Sequence, residues 1–576
     1  MNYELRGPLD KSLTPLQIIF RNRGMNYSKE DILHYINPTE EDLLDDSSID
    51  NLLEGARLLM KHINNNSKVL LVVDEDCDGY TSSAFLLNYL YKIFPSFVLN
   101  NIRYVVHPGK AHGIPIEQIK DEKLVIAPDS SSNEYEIHKQ LAEKGIEVLV
   151  IDHHEAPEFS KYACVINNQL SDYSNKSLSG AGMVYKFCKF LDMYGGFNYA
   201  DTLIDVAALG IVGDMMDLRP QETRYITKAG FDRILNPFLQ AMVIKQEYSI
   251  KGKLNPHRAA FYIVPGINAV TRIGTIEEKL TLFESMLDFK AYTQVPSTKR
   301  GAFGDDMESI VEQSCRNCTN IRNRQNRMKD AIVEEVDNII KTKNLLENKI
   351  LIIKLSNPAN VGITGLVANQ IANKYQRPTL ILNRRTQTGE ITWEGSGRNF
   401  SNSPIQSLRT LVEETGLAMY ALGHASAFGC GVTDANFNAF VGKTNELLKD
   451  TDLSYKYNID LEYDFGDEIN TWSLMDIARC EDLWGQEIEE PVFLFKDVRI
   501  IKDELFLFKE KVLKIAKDEI SFVKMSSNQE EYENLYSEMG YVSIDIIGTC
   551  EINDYDQKIQ IRIMDYEIRD KAKYLF

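Results

Sequence analysis

Four acidic residues crowd into five positions of the sequence: Asp74, Glu75, Asp76 and Asp78, in VLLVVDEDCDGYTSS. Two more clusters share this character. Asp129 opens the run DSSS, and Asp152, His153 and His154 stand together in LVIDHH. A last acid, Asp214, closes the apolar stretch ALGIVGD. Carboxylates held this close cannot all stay ionised unaided; either their pKa values rise or cations bind them. Carboxylates with one or two imidazoles suit Mn²⁺ or Mg²⁺ better than zinc. Two such ions sharing a bridging carboxylate activate water and stabilise a displaced oxyanion. That chemistry is phosphoester or phosphoanhydride hydrolysis.

The elements that must position these residues are legible around them. KVLLVVD, KLVIAPD and EVLVIDHH each read as a buried strand ending at an acid. EIHKQLAEKG, between two of them, reads as a helix that closes on Gly145. Strand–helix alternation implies a parallel sheet with helices on both faces. Such sheets bind ligands at the carboxyl ends of their strands, where all three clusters fall. A single cluster would read as a solvated loop; three at successive strand ends, with adjacent histidines, favour a metal site. YADTLIDVAALGIVGDMMDL reads as a helix that delivers Asp214, with Asp217 expected to be structural.

The length of 576 residues suggests three or four domains. Residues 1–235 form the metal-bearing domain in this reading, and residues 236–345 a helical connector. The connector ends in a long polar helix from about Met307 to Asn344, without Gly or Pro. Residues 346–445 form a second α/β unit that starts at KILIIKLS. Residues 446–576 show short alternating strands, a small β unit.

Hydrophobic content of 44% and charged content of 26% are ordinary for a soluble chain. No apolar run reaches the roughly 18 residues of a membrane helix. The N-terminus lacks a signal pattern, so the expected location is the cytoplasm, with no membrane partner. Eight cysteines are too few for a disulfide framework at this length. Cys315 and Cys318 have CxxC spacing but no second pair, and are expected to be half-buried helix residues. The net charge of −20 argues against a general polyanion binder. Two runs are nevertheless basic. One holds Arg316, Arg322, Arg324, Arg327 and Lys329; the other holds Lys374, Arg377, Arg384, Arg385, Arg398 and Arg409. The plain reading of either run is a solvated face.

In order along the chain, DEDCDGYTS, PDSSS, LVIDHH and ALGIVGDMMDL resemble the four motifs of the DHH phosphoesterase superfamily. The resemblance is strongest to RecJ-type single-strand-specific exonucleases. LSGAGMVYKF and RPQETRYITKAGF resemble segments flanking the third and fourth motifs. INAVTRIG resembles the family's Asn-Ala-x-Gly-Arg segment, and NIRNRQ part of its connecting helix. NVGITGLVANQIANKYQRPTLIL, GSGRNF and GHASAFGCGV resemble its DHH-associated domain; LWGQEIEEPVF and IQIRIMDYEI resemble its terminal OB-fold region. The implied fold is multidomain α/β. A parallel-sheet DHH domain is joined by a long helix to a second α/β domain, followed by a β-rich OB-like domain.

The resemblance implies Asp76, Asp78, Asp129, His153 and Asp214 as ligands of two divalent ions, Mn²⁺ or Mg²⁺, with Asp129 as the bridge. Asp74 either ligates or orients its neighbours. His154 would contact the scissile phosphate or assist proton transfer, and Asp152 would fix an imidazole. Ser396 and Arg398 match positions that hold a terminal phosphate or backbone, where a guanidinium offers a bidentate fork. Gly423 and His424 match a Gly-Gly-His segment, with Leu422 in place of its first glycine. Arg272 is either a phosphate contact or half of a structural ion pair. Three residues depart from the family pattern: Thr271, Asn360 and Glu75. Glu75 is expected to face outward.

The expected activity is metal-dependent hydrolysis of single-stranded DNA from its 5′ end, in replication, recombination or repair. A passage between the two α/β domains would admit one strand, lined by basic residues of the connecting helix, while the β unit would hold the incoming strand. A single-strand-binding protein or helicase is a candidate partner, and the chain is expected to be a monomer. Two alternatives stand beside this. A small-nucleotide or oligoribonucleotide phosphodiesterase is disfavoured by the residues beyond about 450. A catalytically silent scaffold is disfavoured by the intact acidic motifs.

Overall fold

The computed structural model describes residues 1–109, 111–355, 361–387, 390–465, 471–517, 519–553 and 555–573. Asn360 lies outside them. The chain divides into two compact units, Pro38–Leu453 and Met1–Asn37 with Ser454–Phe576.

In the first unit, the run VLLVV forms strand β1 (Val69–Val73), and every side chain in it is buried. It lies in a five-stranded sheet with β2 (Ile102–Val106), β3 (Leu124–Pro128), β4 (Glu147–Asp152) and β5 (Cys164–Asn167). The order is β2-β1-β3-β4-β5 and every pairing is parallel. Strands covered on both faces need near-continuous apolar side chains, which explains why β1 and β3 lack polar alternation. Strand order reverses between β1 and β3. The crevice beyond their carboxyl ends is therefore the topological switch point, where ligands bind in such sheets. Three buried helices pack around it: α1 (Cys77–Ile93), α2 (Gly180–Gly195) and α3 (Ile204–Gly213).

Helix α4 (Val264–Ile273) leads toward the long helix α5 (Ile310–Thr342). Ser309 and Glu312 start α5 with a reciprocal capping box. Cys315 and Cys318 on α5 are fully buried free thiols, not half-buried ones. The reason is α4: Gly266 presents no side chain, and Cys318 packs into that gap. Farther along α5, Val333, Val336 and Ile340 enter a second core with Ile353, Leu355 and Ile381. One helix thus carries side chains into two cores of the same unit.

The second sheet comprises β6 (Leu351–Leu355), β7 (Thr379–Gln387), β8 (Glu390–Arg398), β9 (Tyr420–His424) and β10 (Ala427–Thr433). Its order is β9-β10-β8-β7-β6. Only β6 and β7 run parallel, joined through α6 (Val361–Tyr375); the rest is antiparallel.

The other unit holds a seven-stranded mixed sheet built from residues 461–573. Residues 1–37 group with it rather than with the metal-bearing sheet, although the sequence reading placed them in a domain of residues 1–235. Tyr3–Leu5 pairs in parallel with Tyr457–Ile459. Nε and Nη2 of Arg23 donate to the two carboxylate oxygens of the buried Asp460, each at 2.8 Å. Among the described residues, no helix is long and apolar enough to cross a membrane.

Candidate metal centre

Asp76 caps α1: its Oδ1 accepts from the backbone N–H groups of Asp78 at 2.9 Å and Gly79 at 3.0 Å. Asp78, in the first turn of α1, sends its carboxylate to the start of a different helix. Its carboxylate accepts from Ser179 Oγ (2.8 Å), the Gly180 N–H (2.6 Å) and the Ala181 N–H (3.0 Å). These donors open α2, where unpaired N–H groups and the helix dipole favour a negative charge. The LSGAG segment thus holds an acid of DEDCDG. Gly180 has to be a glycine here, because a Cβ on it would lie 2.5 Å from Cβ of Asp129.

Asp129 follows β3 in a left-handed conformation, φ +62°, which aspartate tolerates better than most residues. Its N–H donates to the Ile151 carbonyl at 2.8 Å, fastening it beside β4. Nε2 of His153, at the end of β4, lies 3.2 Å from Asp129 Oδ1, 3.4 Å from Asp214 Oδ2 and 3.8 Å from Asp78 Oδ2. Three groups of candidate ligand atoms result, Asp78–His153–Asp214, Asp74–Asp76–Asp129 and Asp129–Asp152–His153–His154, each within 4.8 Å. Asp129 is common to the last two and, next to His153, joins them to the first. Asp217 belongs to none of them and pairs with Arg219 at 2.7 Å.

The donor set fits divalent ions on its own geometry. Asp74 Oδ1, Asp129 Oδ1 and His153 Nε2 are buried with no hydrogen-bond partner. Each such orphan costs about 1–3 kcal/mol, which a shared cation removes. Burial, then the neighbouring carboxylates, push Asp129 and Asp214 well above the usual carboxylate range. Burial pushes Asp78 up to about 6. Burial and the charge of His154 push His153 down to about 3, leaving a neutral ring able to offer a lone pair.

Asp152 has no exposed surface. It accepts from the Ser132 N–H, the His153 N–H, the His154 N–H and His154 Nδ1. Burial opposes its ionisation, but the hydrogen bond and charge of His154 override that and hold its carboxyl low. The half-exposed His154 is correspondingly raised: burial opposes its charge, and Asp152 outweighs it.

The phosphate candidates gather on one face of β8. Ser396 and Arg398 are two residues apart and share that face. Thr364 and Ser396 hydroxyls lie 3.2 Å apart, and Gly365 lets α6 approach the Arg398 guanidinium closely. Arg398 is pushed down to about 10 by burial and by the nearby Arg272 guanidinium. Arg272 is lowered by burial, against the pull of Asp76 and Glu75. No ion pair of either arginine with a carboxylate is found among the described residues; Asp76 and Glu75 act on Arg272 through their charge. Gly423, φ +130°, and the exposed His424 lie at the β9–β10 turn, and the charge of His424 bears on His153.

The DHH family N-terminal domain model matches residues 68–211, which contain the acidic motifs but for Asp214. Over the full length of both chains, the sequence is 34% identical to a putative prophage-derived single-strand DNA-specific exonuclease, YorK, of Bacillus subtilis. The chain belongs to the RecJ-like family of single-strand-specific DNA exonucleases. A RecJ from Haemophilus influenzae is 24% identical over 83% of this chain and 82% of its own. The crystal structure of Thermus thermophilus RecJ in complex with Mn²⁺ superposes with a TM-score of 0.72 at 19% identity, covering 98% of this chain and 77% of that one. A Mg²⁺ complex of the same protein gives 0.67.

Within this RecJ-like frame, two expectations are corrected. Glu75 does not face outward: it is buried, accepts the Ala111 N–H at 2.6 Å, and faces the buried Lys279 at 4.0 Å. Burial pushes its carboxyl up to about 7, with Lys279 opposing. The basic residues of α5 are mostly committed to protein partners. Arg316 forks onto Glu308, Arg322 and Arg324 donate to the carbonyls of Phe261 and Ile273, and Lys329 pairs with Asp330. Of that run only Arg327 has no such partner among the described residues.

Two contributions escaped the sequence reading. Asn268, in INAVTRIG, accepts the Cys77 N–H at 3.0 Å and so fastens the start of α1. Lys186 and Glu222, from the two flanking segments, pair at 2.9 Å deep in the core. Thr271, where the family has glycine, is simply buried and bonds the Asn268 carbonyl.

Proposed function

We propose that this chain hydrolyses single-stranded DNA from the 5′ end, releasing nucleotides at a centre that takes two divalent cations. The observation that carries this reading is the junction of ligand groups through Asp129, with the guanidinium groups of Arg272 and Arg398 near by. Asp78, His153 and Asp214 would hold one ion, Asp74 and Asp76 the other, and Asp129 both. When bound, the ions activate water and neutralise charge on the departing oxygen.

The chain's own residues do the rest. Asp152 keeps His154 charged and directed, so that its imidazolium can bind a phosphate oxygen and give up a proton. Arg398, Arg272 and Ser396 anchor a phosphate at the strand end. A 5′-phosphorylated end carries charge that a 3′-hydroxyl end lacks, and paired guanidiniums recognise that difference. This supports 5′ entry. His424, at the β9–β10 turn, would contact the strand near the scissile bond.

The test uses purified protein, Mn²⁺ and single strands of DNA or RNA labelled at one end. Immediate release of labelled mononucleotide from the 5′ end of DNA is expected. Release from the 3′ end first, preference for RNA, or equal digestion of duplex would sink the reading.

A further inference from the structure

The two carboxylate oxygens of Asp74 are in different situations. Oδ2 lies 2.7 Å from Nδ1 of His112. Oδ1 is buried, has no hydrogen-bond partner, and belongs to a residue grouped with Asp76 and Asp129. The terminal torsion of an aspartate is broad and roughly two-fold, so packing alone does not choose which oxygen points where. A hydrogen bond to one oxygen does.

His112 comes from none of the acidic motifs. It lies in the irregular segment after β2, and that segment is tied down on both sides of it. The Ala111 N–H donates to Glu75 Oε2 at 2.6 Å, and the Ile114 N–H to Glu134 Oε2 at 2.9 Å. Lys279 Nζ donates to the His107 carbonyl at 2.9 Å and faces Glu75 at 4.0 Å. Buried charges are costly unless their geometry is fixed. Glu75 and Lys279 therefore hold the backbone at Ala111 and His107, and next to Ala111 the ring of His112 meets Asp74.

We propose that His112 is a positioning residue of the metal centre: by pinning Oδ2 of Asp74 it directs Oδ1 toward Asp76 and Asp129. Glu75 and Lys279 act one step farther out, by holding the backbone that carries His112. The inference rests on the two-cation reading above. It also gives the Glu75 departure from the family pattern a purpose, since an apolar residue there would not hold Ala111.

Calorimetric titration of Mn²⁺ into the metal-stripped full chain tests this without an activity assay. Loss of a group that orients a ligand typically costs 10–100-fold in metal affinity, so His112→Ala is expected to bind Mn²⁺ about 10- to 100-fold more weakly. His112→Asn, whose amide can donate to Oδ2, should recover most of that loss, which a merely structural role would not predict. Glu75→Leu leaves His112 in place and cuts its tie; it should weaken binding in the same direction, by less. Wild-type affinity in His112→Ala would overturn the proposal, whatever Glu75→Leu does. Asp129→Asn marks the centre itself. If it abolishes Mn²⁺ binding while His112→Ala does not change it, this proposal alone fails; if wild type binds no Mn²⁺, the two-cation reading fails with it.

Discussion

Nδ1 of His154 lies 2.8 Å from Oδ1 of Asp152, and the same oxygen accepts from the backbone N–H of each histidine. One buried carboxylate thereby sets the direction of the His154 imidazole and fastens the backbone of both histidines. Asp152→Asn keeps the shape and removes the charge. Activity is expected to fall about 10- to 100-fold. The pH profile is the sharper readout. Asp152 raises the His154 pKa above its ordinary 6.5, so the charged ring survives to alkaline pH. In the variant that support is gone, and the alkaline limb of kcat should move toward neutral pH. An unmoved limb would show that His154 is not used in its charged form.

Asp129 and His153 should be indispensable. Metal-ion catalysis supplies several kcal/mol of transition-state stabilisation, and about 4 kcal/mol corresponds to roughly 10³-fold in rate. Asp129→Asn and His153→Ala are each expected to lose at least about that much Mn²⁺-dependent hydrolysis while keeping the wild-type circular dichroism spectrum. Asn is the better replacement at Asp129 because the φ of +62° suits it, whereas alanine would add about 1–2 kcal/mol of backbone strain. Full activity in either variant would remove the two-cation assignment.

The metal-bearing sheet was legible because its signals are local. VLLVV, LVIAP and EVLVID are short apolar runs that end at acids, and their pairing follows from strand–helix alternation. The convergence of Asp78, Asp129, His153 and Asp214 followed from placing each at a strand or helix end. What stayed hidden depends on distant partners. Glu75 is buried because of Ala111 and Lys279, Arg316 is silenced by Glu308, and Tyr3–Leu5 finds its pair at Tyr457–Ile459. None of these contacts leaves a periodic trace, since the residues that satisfy each group come from other elements. The acid at position 75 looked solvated for want of a visible cation.

Arg398 should discriminate strand ends. Its half-buried guanidinium lacks a carboxylate partner, and a phosphate would supply one. Hydrogen bonds to charged groups contribute about 1.5–3 kcal/mol, roughly 10- to 100-fold in binding. Arg398→Ala is therefore expected to weaken 5′-phosphorylated strands by that factor and 5′-hydroxyl strands far less, read by fluorescence anisotropy in Ca²⁺ to suppress turnover. Arg398→Lys should not rescue fully, because an ammonium lacks the planar fork. Equal losses on both strands would assign Arg398 to the backbone instead.

Lys186 and Glu222 explain why two sequence segments flank the acidic motifs. The ammonium is buried, and it contacts Glu222 at 2.9 Å, Asp46 at 2.5 Å and the Leu44 carbonyl at 2.8 Å. Glu222 also accepts from Tyr173 and Asn175. Removing one partner of a buried pair leaves the other charge uncompensated, at about 3–5 kcal/mol. Lys186→Met should lower the urea midpoint accordingly while leaving Mn²⁺ affinity of the folded fraction near wild type. A midpoint within experimental error of wild type would mean that the pair is energetically idle.

The acids of the metal centre should make stability depend jointly on pH and cation. A carboxyl whose folded pKa exceeds its unfolded value keeps its proton longer in the folded chain. For Asp78 the rise from 3.8 to about 6 means that stability is lost as pH climbs through that interval. Asp129 and Asp214, raised farther by burial and their neighbours, extend the loss upward. The metal-free chain should thus melt at a lower temperature at pH 8 than at pH 5. Mn²⁺ replaces the protons as the compensating charge, so its effect should be large at pH 8 and small at pH 5. One site at a hundredfold excess over its Kd gives about 2.7 kcal/mol. Differential scanning fluorimetry with chelator or Mn²⁺ at both pH values reads this directly. A Mn²⁺ shift of the same size at both would mean that these carboxyls do not exchange protons for metal.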